Sequence, residues 1–269
     1  INQLQLFLNF KFIYRIPALI LARFPAGMIN IGYMRKSGTL EKTPGSRNIC
    51  WIIGLLALIN VVLHLLFSFN LEYHRDELLY FSLGLHPAFG YATVPPLIGW
   101  VAWAMQGIFG YSLFAVRIFP AILSGLMIFL VSETAKELGG SFYARIVAGI
   151  GMMLSIFGLR TFLLFQPVHI DLILWTLFFY LTIRYVNTSS GKYLVLLGLT
   201  AGFALLNKYL IGLLFIVFVL VLPFTRYRII FRNRYFWYGI IAGMLVFLPN
   251  LIWQAVNGLP VIQHFDELR

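Results

Sequence analysis

The sequence predicts an all-α fold, a polytopic membrane helical bundle with one long outer loop carrying interfacial helices. Two observations predict it. The first is composition: of 269 residues, 61% are hydrophobic and 11% are charged, whereas a soluble domain carries about 25% charged residues to solvate its surface. That deficit excludes soluble enzymes, secreted disulfide scaffolds and disordered tails, because so much apolar surface has to be given to lipid. The second is pattern: apolar runs of bilayer-crossing length, about 17–25 residues, recur along the chain almost without pause. No segment with strand periodicity competes with them, and the single cysteine, Cys50, cannot form an intrachain disulfide.

Taken in order, residues 1–48 come first. An apolar stretch over 7–24 is broken by Lys11, Arg15, Pro17 and Arg23, and a polar linker over 35–48 holds Gly38, Pro44 and Gly45. Interruptions at that density disfavour a spanning helix, so 1–48 is expected to be a cytoplasmic or interfacial segment. Because the first residue is Ile1, with Met28 and Met34 as alternative starts, 1–27 is read as non-native or interfacial. From 49 to 269 the chain is expected to form one multi-pass transmembrane domain. Its spans are expected at 49–69, 115–135, 144–159, 170–186, 193–206, 210–224 and 236–253, about seven helices. Several are short and rich in glycine, as expected where helices pack closely or line a cavity.

Orientation follows from the basic residues, because cytoplasmic loops accumulate Lys and Arg. With the N-terminus in the cytoplasm, the inner side collects most of them, including Lys136, Arg145, Arg184, Lys192 and the run from Arg226 to Arg234. Glu72, Asp76, Glu77, Asp171, Asp266 and Glu267 then fall on the outer face. The net charge of +11 is therefore read as membrane anchoring, and no nucleic-acid partner is expected.

The informative stretch is the outer loop 70–111, because a long loop in a compact protein usually carries function. On a helix, Tyr73, Asp76 and Tyr80 share one stripe while Glu77 points about 100° away, so the adjacent acids are expected to do different work. A carboxylate flanked by aromatic rings at the membrane surface suits the removal of a proton from a hydroxyl; the alternative is a solvated acidic turn. Pro95-Pro96 then fixes the backbone at the entrance to a stretch with Trp100, Trp103 and Met105, which suits a helix lying along the headgroups.

Here a resemblance enters. Arg75-Asp76-Glu77-Leu78-Leu79-Tyr80, Gly90-Tyr91, Pro95-Pro96-Leu97, Phe109-Gly110-Tyr111-Ser112, Arg117, Glu137-Leu138-Gly139-Gly140, Asp171 and Leu206-Asn207-Lys208-Tyr209 occur in that order. Together they resemble the N-terminal part of glycosyltransferase family 39 and its bacterial relatives, the dolichyl-phosphate-mannose protein mannosyltransferase-like group. Leu248-Pro249-Asn250, Trp253-Gln254 and Asn257-Gly258-Leu259-Pro260 are similar to a bacterial branch of it. The resemblance runs from Tyr73 to Arg269 and is specific as an ordered set.

The resemblance implies a helical bundle of GT-C type with an Asp-Glu pair on its first outer loop. It also implies a glycosyltransferase of the cell inner (plasma) membrane with its active site on the periplasmic or extracellular side. The sugar, mannose or another hexose or pentose, would come from a polyprenyl-phosphate carrier and pass with inversion to a hydroxyl of a protein, glycolipid or polysaccharide acceptor. Asp76 is the expected general base, and Tyr80, on its stripe, is a candidate substrate-binding residue. Glu77 is expected to orient the acceptor, bind sugar hydroxyls or help hold a divalent cation. Lys208 is the best candidate for the carrier phosphate, with Arg117 and Arg160 behind it, and Asp171, beside His169, is a candidate for binding sugar or acceptor hydroxyls. No cofactor is assigned beyond the divalent cation that Glu77 could help hold, because an Asp-Glu pair without clustered His or Cys supplies too few ligands to define a metal site.

Two departures stand out. Family members often carry Lys directly before the Pro-Pro pair where this chain has Val94, and they have more spans and an outer soluble domain, so the chain is expected to be C-terminally incomplete. The competing classes are a transporter or flippase of lipid-linked or anionic solutes, which would place charge near the midplane and show related halves, and an inactive truncated remnant.

Overall fold

The computed structural model describes residues 46–267, so the expectations for residues 1–45 lie outside the described residues. Among these residues the regular elements are all helices. Helix α1 (Ser46–Ser68) leads into the long loop, which carries α2 (Arg75–Ser82), a 3-10 turn (Leu83–Leu85) and α3 (Leu97–Phe109). There follow α4 (Leu113–Glu137), α5 (Phe142–Leu154), α6 (Ile156–Thr161), α7 (Pro167–Thr188), α8 (Lys192–Asn207), α9 (Ile211–Val221), α10 (Arg234–Val256) and α11 (Pro260–Glu267). Every expected span falls on helix, one of them with a break. Asn48–Ser68, α4, α7 and α10 run 21, 25, 22 and 23 residues and are long and apolar enough to cross a bilayer. The apolar helices α3, α5, α8 and Ile211–Phe224 are shorter.

One expected span needs correcting. The stretch 144–159 reads as continuous, but α5 stops at Leu154, and Ser155 adopts an extended backbone to cap α6, its hydroxyl accepting from Gly158 N. A serine side chain offers the backbone an alternative to the helical ladder, and apolar patterning does not register it.

Side-chain contacts show that successive spans alternate in direction. At one end Glu137 accepts from Arg184 and Asn187, Arg184 also reaches the Tyr193 hydroxyl, and Glu133 takes Lys136 and Arg145. The acids of this end are thus matched to its arginines and lysines. At the other end the loop helices, the starts of α4 and α7 and the ends of α8 and α10 converge. Outward faces are apolar, with Leu55, Leu58 and Leu66 on α1 and Met244, Leu245 and Leu251 on α10 exposed, as surface that meets lipid should be.

The tightest packing is between α8 and α10. Lipid tails provide no hydrophobic drive for one helix to leave them for another, so association depends on close backbone approach. Gly198 and Gly202 supply it: a Cβ on Gly198 would enter the backbone of Gly239, and one on Gly202 the backbone of Gly243. Gly198→Val is therefore expected to cost at least about 1–3 kcal/mol, the range for overpacking, read as a lower unfolding midpoint in detergent. An unchanged midpoint would contradict this backbone contact.

Candidate active site

The site starts with the capping of α2. His74 is the N-cap residue; its Nδ1 accepts from Asp76 N at 3.2 Å, and its own N–H donates to Glu77 Oε2 at 3.0 Å. This reciprocal capping box satisfies donors that a helix start otherwise leaves open. It also fixes the direction of Glu77, which points inward and is fully buried.

Buried carboxylates need partners, and Glu77 has them on both oxygens. Oε1 accepts from Phe165 N at 3.0 Å, and Oε2, besides His74 N, pairs with Arg117 Nη2 at 2.8 Å. Arg117 is itself 1% exposed and donates to the carbonyls of Leu163 at 2.6 Å and Glu72 at 3.1 Å. The pair therefore ties α2, the start of α4 and the segment 163–166 into one block. Glu77 thus has both oxygens occupied by protein N–H groups and is turned from the surface, away from the contact with acceptor, sugar or cation expected of it. Arg117, expected as a phosphate candidate, is likewise engaged by Glu77 and by carbonyls.

Asp76 differs in the way the helical stripe requires. Its side chain is 36% exposed; Oδ2 accepts from Gln166 Nε2 at 3.2 Å, and its exposed side has the cationic Arg75 Nε at 3.6 Å and the His74 ring, Nδ1 at 3.9 Å. Tyr80 stands one turn further along α2. Burial, and secondarily the negative charge of Asp76, push its phenol above the ordinary tyrosine value, so it stays protonated as a hydrogen-bond donor.

The segment 163–167 also leads to the remaining residues. Gln166 is the N-cap of α7 and Pro167 its first residue, a position where the missing N–H costs nothing. Gln166 N donates to His169 Nδ1 at 3.4 Å, and the fully buried His169 ring lies against Phe119 and Phe165, so this histidine serves as a cap. The Pro167 carbonyl accepts from the buried Asn207 Nδ2 at 2.9 Å. Lys208 follows directly, extended and half-buried at the C-cap of α8. Asp171, one turn into α7, interacts electrostatically with Lys208 and has the Trp175 and Asn207 side chains near its carboxyl group. One oxygen of Asp171 and one of Asn207 are buried without a protein donor. Arg160 lies exposed on α6.

A last set of contacts closes this end of the bundle. Asn250 Nδ2 donates to the Phe89 carbonyl at 2.7 Å, its Oδ1 accepts from the Tyr209 hydroxyl at 2.9 Å, and Gln254 Nε2 donates to the same hydroxyl at 3.0 Å. Gly90 has no Cβ because the Trp253 ring occupies its place. Lys208 is thus held between Asn207 and Tyr209, each fixed to a different helix. As for a resident cation, no three His, Cys, Asp or Glu side chains converge among the described residues. With Glu77 engaged, Asp76 is the carboxylate of the pair that keeps an accessible side chain.

Sequence reasoning passed over Gln166, whose signal is its place directly before Pro167 at a helix start. It had Asn207, Tyr209, Asn250 and Gln254 only as part of an ordered resemblance. A family model described as dolichyl-phosphate-mannose-protein mannosyltransferase matches residues 93–253, more than half of the 269-residue chain. The chain belongs to this family. Within this mannosyltransferase family the matched region covers α3 to most of α10, and the acidic pair of α2 lies before it. The chain is 25% identical over 207 residues to the lipopolysaccharide core galacturonosyltransferase RgtA of Rhizobium johnstonii, covering 74% of this chain and 40% of that one. It is 29% identical over 225 residues to undecaprenyl phosphate-alpha-4-amino-4-deoxy-L-arabinose arabinosyl transferase 1 of Sodalis glossinidius, covering 75% of this chain and 39% of that one. The chain spans about two fifths of the length of these curated relatives. No solved structure matches it.

Proposed function

We propose that the chain carries the membrane-embedded catalytic part of a glycosyltransferase that moves a sugar from a polyprenyl-phosphate carrier to an acceptor hydroxyl. We place this reaction at the outer face of the cell inner membrane. The observation that carries the proposal is the division of the acidic pair: Glu77 is buried and paired with Arg117, while Asp76 keeps accessible surface at the end of the bundle that also holds Lys208. The names of the two relatives add support, since one specifies an undecaprenyl-phosphate-linked sugar and the other a lipopolysaccharide core.

In this reading an Asp76 oxygen takes the proton of the acceptor hydroxyl as that oxygen attacks the anomeric carbon. The bond from the anomeric carbon to the carrier phosphate breaks in the same displacement, so the configuration inverts through an oxocarbenium-like transition state. Lys208 stabilises the charge gathering on the departing phosphate and supplies the cation that Val94 does not. Asp171 and the Tyr80 hydroxyl bind sugar or acceptor hydroxyls. Most of the rate gain is positional and electrostatic, and no step passes through a metal.

The test is to incubate membranes holding the complete protein with radiolabelled polyprenyl-phosphate mannose, galacturonic acid and aminoarabinose, and to follow which label leaves the carrier. One label is expected to move to an acceptor. Lys208→Met is expected to raise the donor KM about tenfold or more, since a hydrogen bond to a charged group contributes about 1.5–3 kcal/mol. No movement of any label, or a donor KM indifferent to Lys208, would overturn this reading.

A further inference from the structure

We infer that Gln166 is the positioning residue of the proposed base: it holds Oδ2 of Asp76 and leaves Oδ1, which faces the exposed Arg75 side chain at 3.6 Å, to take the proton of the acceptor hydroxyl. The inference rests on the glycosyl-transfer reading above and adds to it a residue that neither the sequence motifs nor the comparisons single out.

The segment 163–166 packs against both partners of the buried ion pair. Within four residues it makes three bonds, one to α4 and two to the acids of α2: the Leu163 carbonyl to Arg117, Phe165 N to Glu77, and Gln166 Nε2 to Asp76. The first two are backbone contacts that secure the buried ion pair. The third is made by a side chain and lands on the accessible acid. A carboxylate only accepts hydrogen bonds, so the group of Gln166 that faces Asp76 is its NH2.

Gln166 is also an uneconomical choice for its local task. Helix N-caps favour Ser, Thr, Asp and Asn, whose short side chains fold back on the first turn. Here the longer glutamine side chain reaches from the N-cap of α7 across to α2. Its backbone is held meanwhile by the His169 ring, wedged between Phe119 and Phe165. A residue needed only to begin α7 would not require that reach.

The charged and titratable groups around Asp76 are few. Its own stretch supplies His74, Arg75 and Tyr80, with Glu77 next in sequence turned away and neutralised by Arg117. From the segment packed against α2, Gln166 is the side chain that reaches it. Arg75 and His74 lie on the exposed side, so without Gln166 no side chain from the packed segment fixes the rotation of the carboxylate.

The experiment measures sugar transfer by the complete protein in membranes as a function of pH. Gln166→Ala is expected to lower kcat about tenfold, the loss typical of a hydrogen bond to a charged group, at unchanged donor KM. Gln166→Glu keeps the size but turns a donor into a second carboxylate facing Asp76. Like charges hold protons more tightly, so the acidic limb of the kcat profile is expected to move to higher pH. A residue that only shapes the turn would not move that limb. Should the alanine variant fail to fold, the isosteric variant decides alone. Wild-type kcat and an unmoved limb in the glutamate variant, with Asp76→Asn inactive, would overturn the inference while leaving the glycosyl-transfer reading in place. Absence of transfer by the wild-type protein would remove that reading, and this inference with it.

Discussion

Asp76→Asn is expected to abolish sugar transfer, by about 10²–10⁴-fold, the usual contribution of a positioned general base. The amide keeps the size of the carboxyl group and can still accept from Gln166, so the local structure around α2 stays as it is. Its other close polar neighbours, Arg75 and His74, are on the exposed side, where ion pairs contribute little to stability. Activity and stability therefore separate: the variant should reach wild-type levels in membranes, unfold at the wild-type midpoint and transfer no label. Unchanged transfer would remove Asp76 from the role of base.

Glu77→Gln and Arg117→Met should behave in the opposite way, each lowering stability by about 3–5 kcal/mol, because removing one member of a buried pair leaves the other as an uncompensated charge. The pair is well suited to such an effect, since both side chains have 0% exposure and stand 2.8 Å apart. Carbonyls of Leu163 and Glu72 and the N–H groups of Phe165 and His74 satisfy much of the rest. The double variant is expected to recover part of the loss, because no lone charge is then buried. Thermal unfolding of the purified protein in detergent gives the three values needed. Single variants as stable as wild type would show that the pair does not hold α2 in place. Activity is expected to fall in the singles as well, as a consequence of a loosened α2.

These two expectations differ although the residues are neighbours, and the difference was partly legible in the sequence. Helical geometry separates Asp76 from Glu77 and places Asp76 on the stripe with Tyr80. It does not say which of the two faces inward. That was decided by Phe165, 88 residues away in the chain, and by Arg117, whose positions opposite α2 have no local signature. Arg117 read as a phosphate ligand for the same reason: a cation near the membrane surface looks alike in sequence whether it meets a ligand or a buried acid. Lys208 and Asp171 could be named from residue type and span boundaries, whereas Asn207, which anchors Lys208 to the start of α7, could not.

The sequence by itself determined the all-helical membrane architecture, the helical identity of each span and the stretch that carries the acidic pair. These follow from sums of hydrophobicity over a bilayer-length window and from helical periodicity, both local properties. Only the tertiary structure decided that the expected third span breaks at Ser155, that Glu77 and Arg117 form an internal pair, and that Gln166 meets Asp76. Each of these depends on how a polar group buried in an apolar bundle finds its partner. The partners of Glu77 and Asp76 come from distant parts of the chain, and the Ser155 hydroxyl competes with the helix for its own backbone, so patterning reveals none of them.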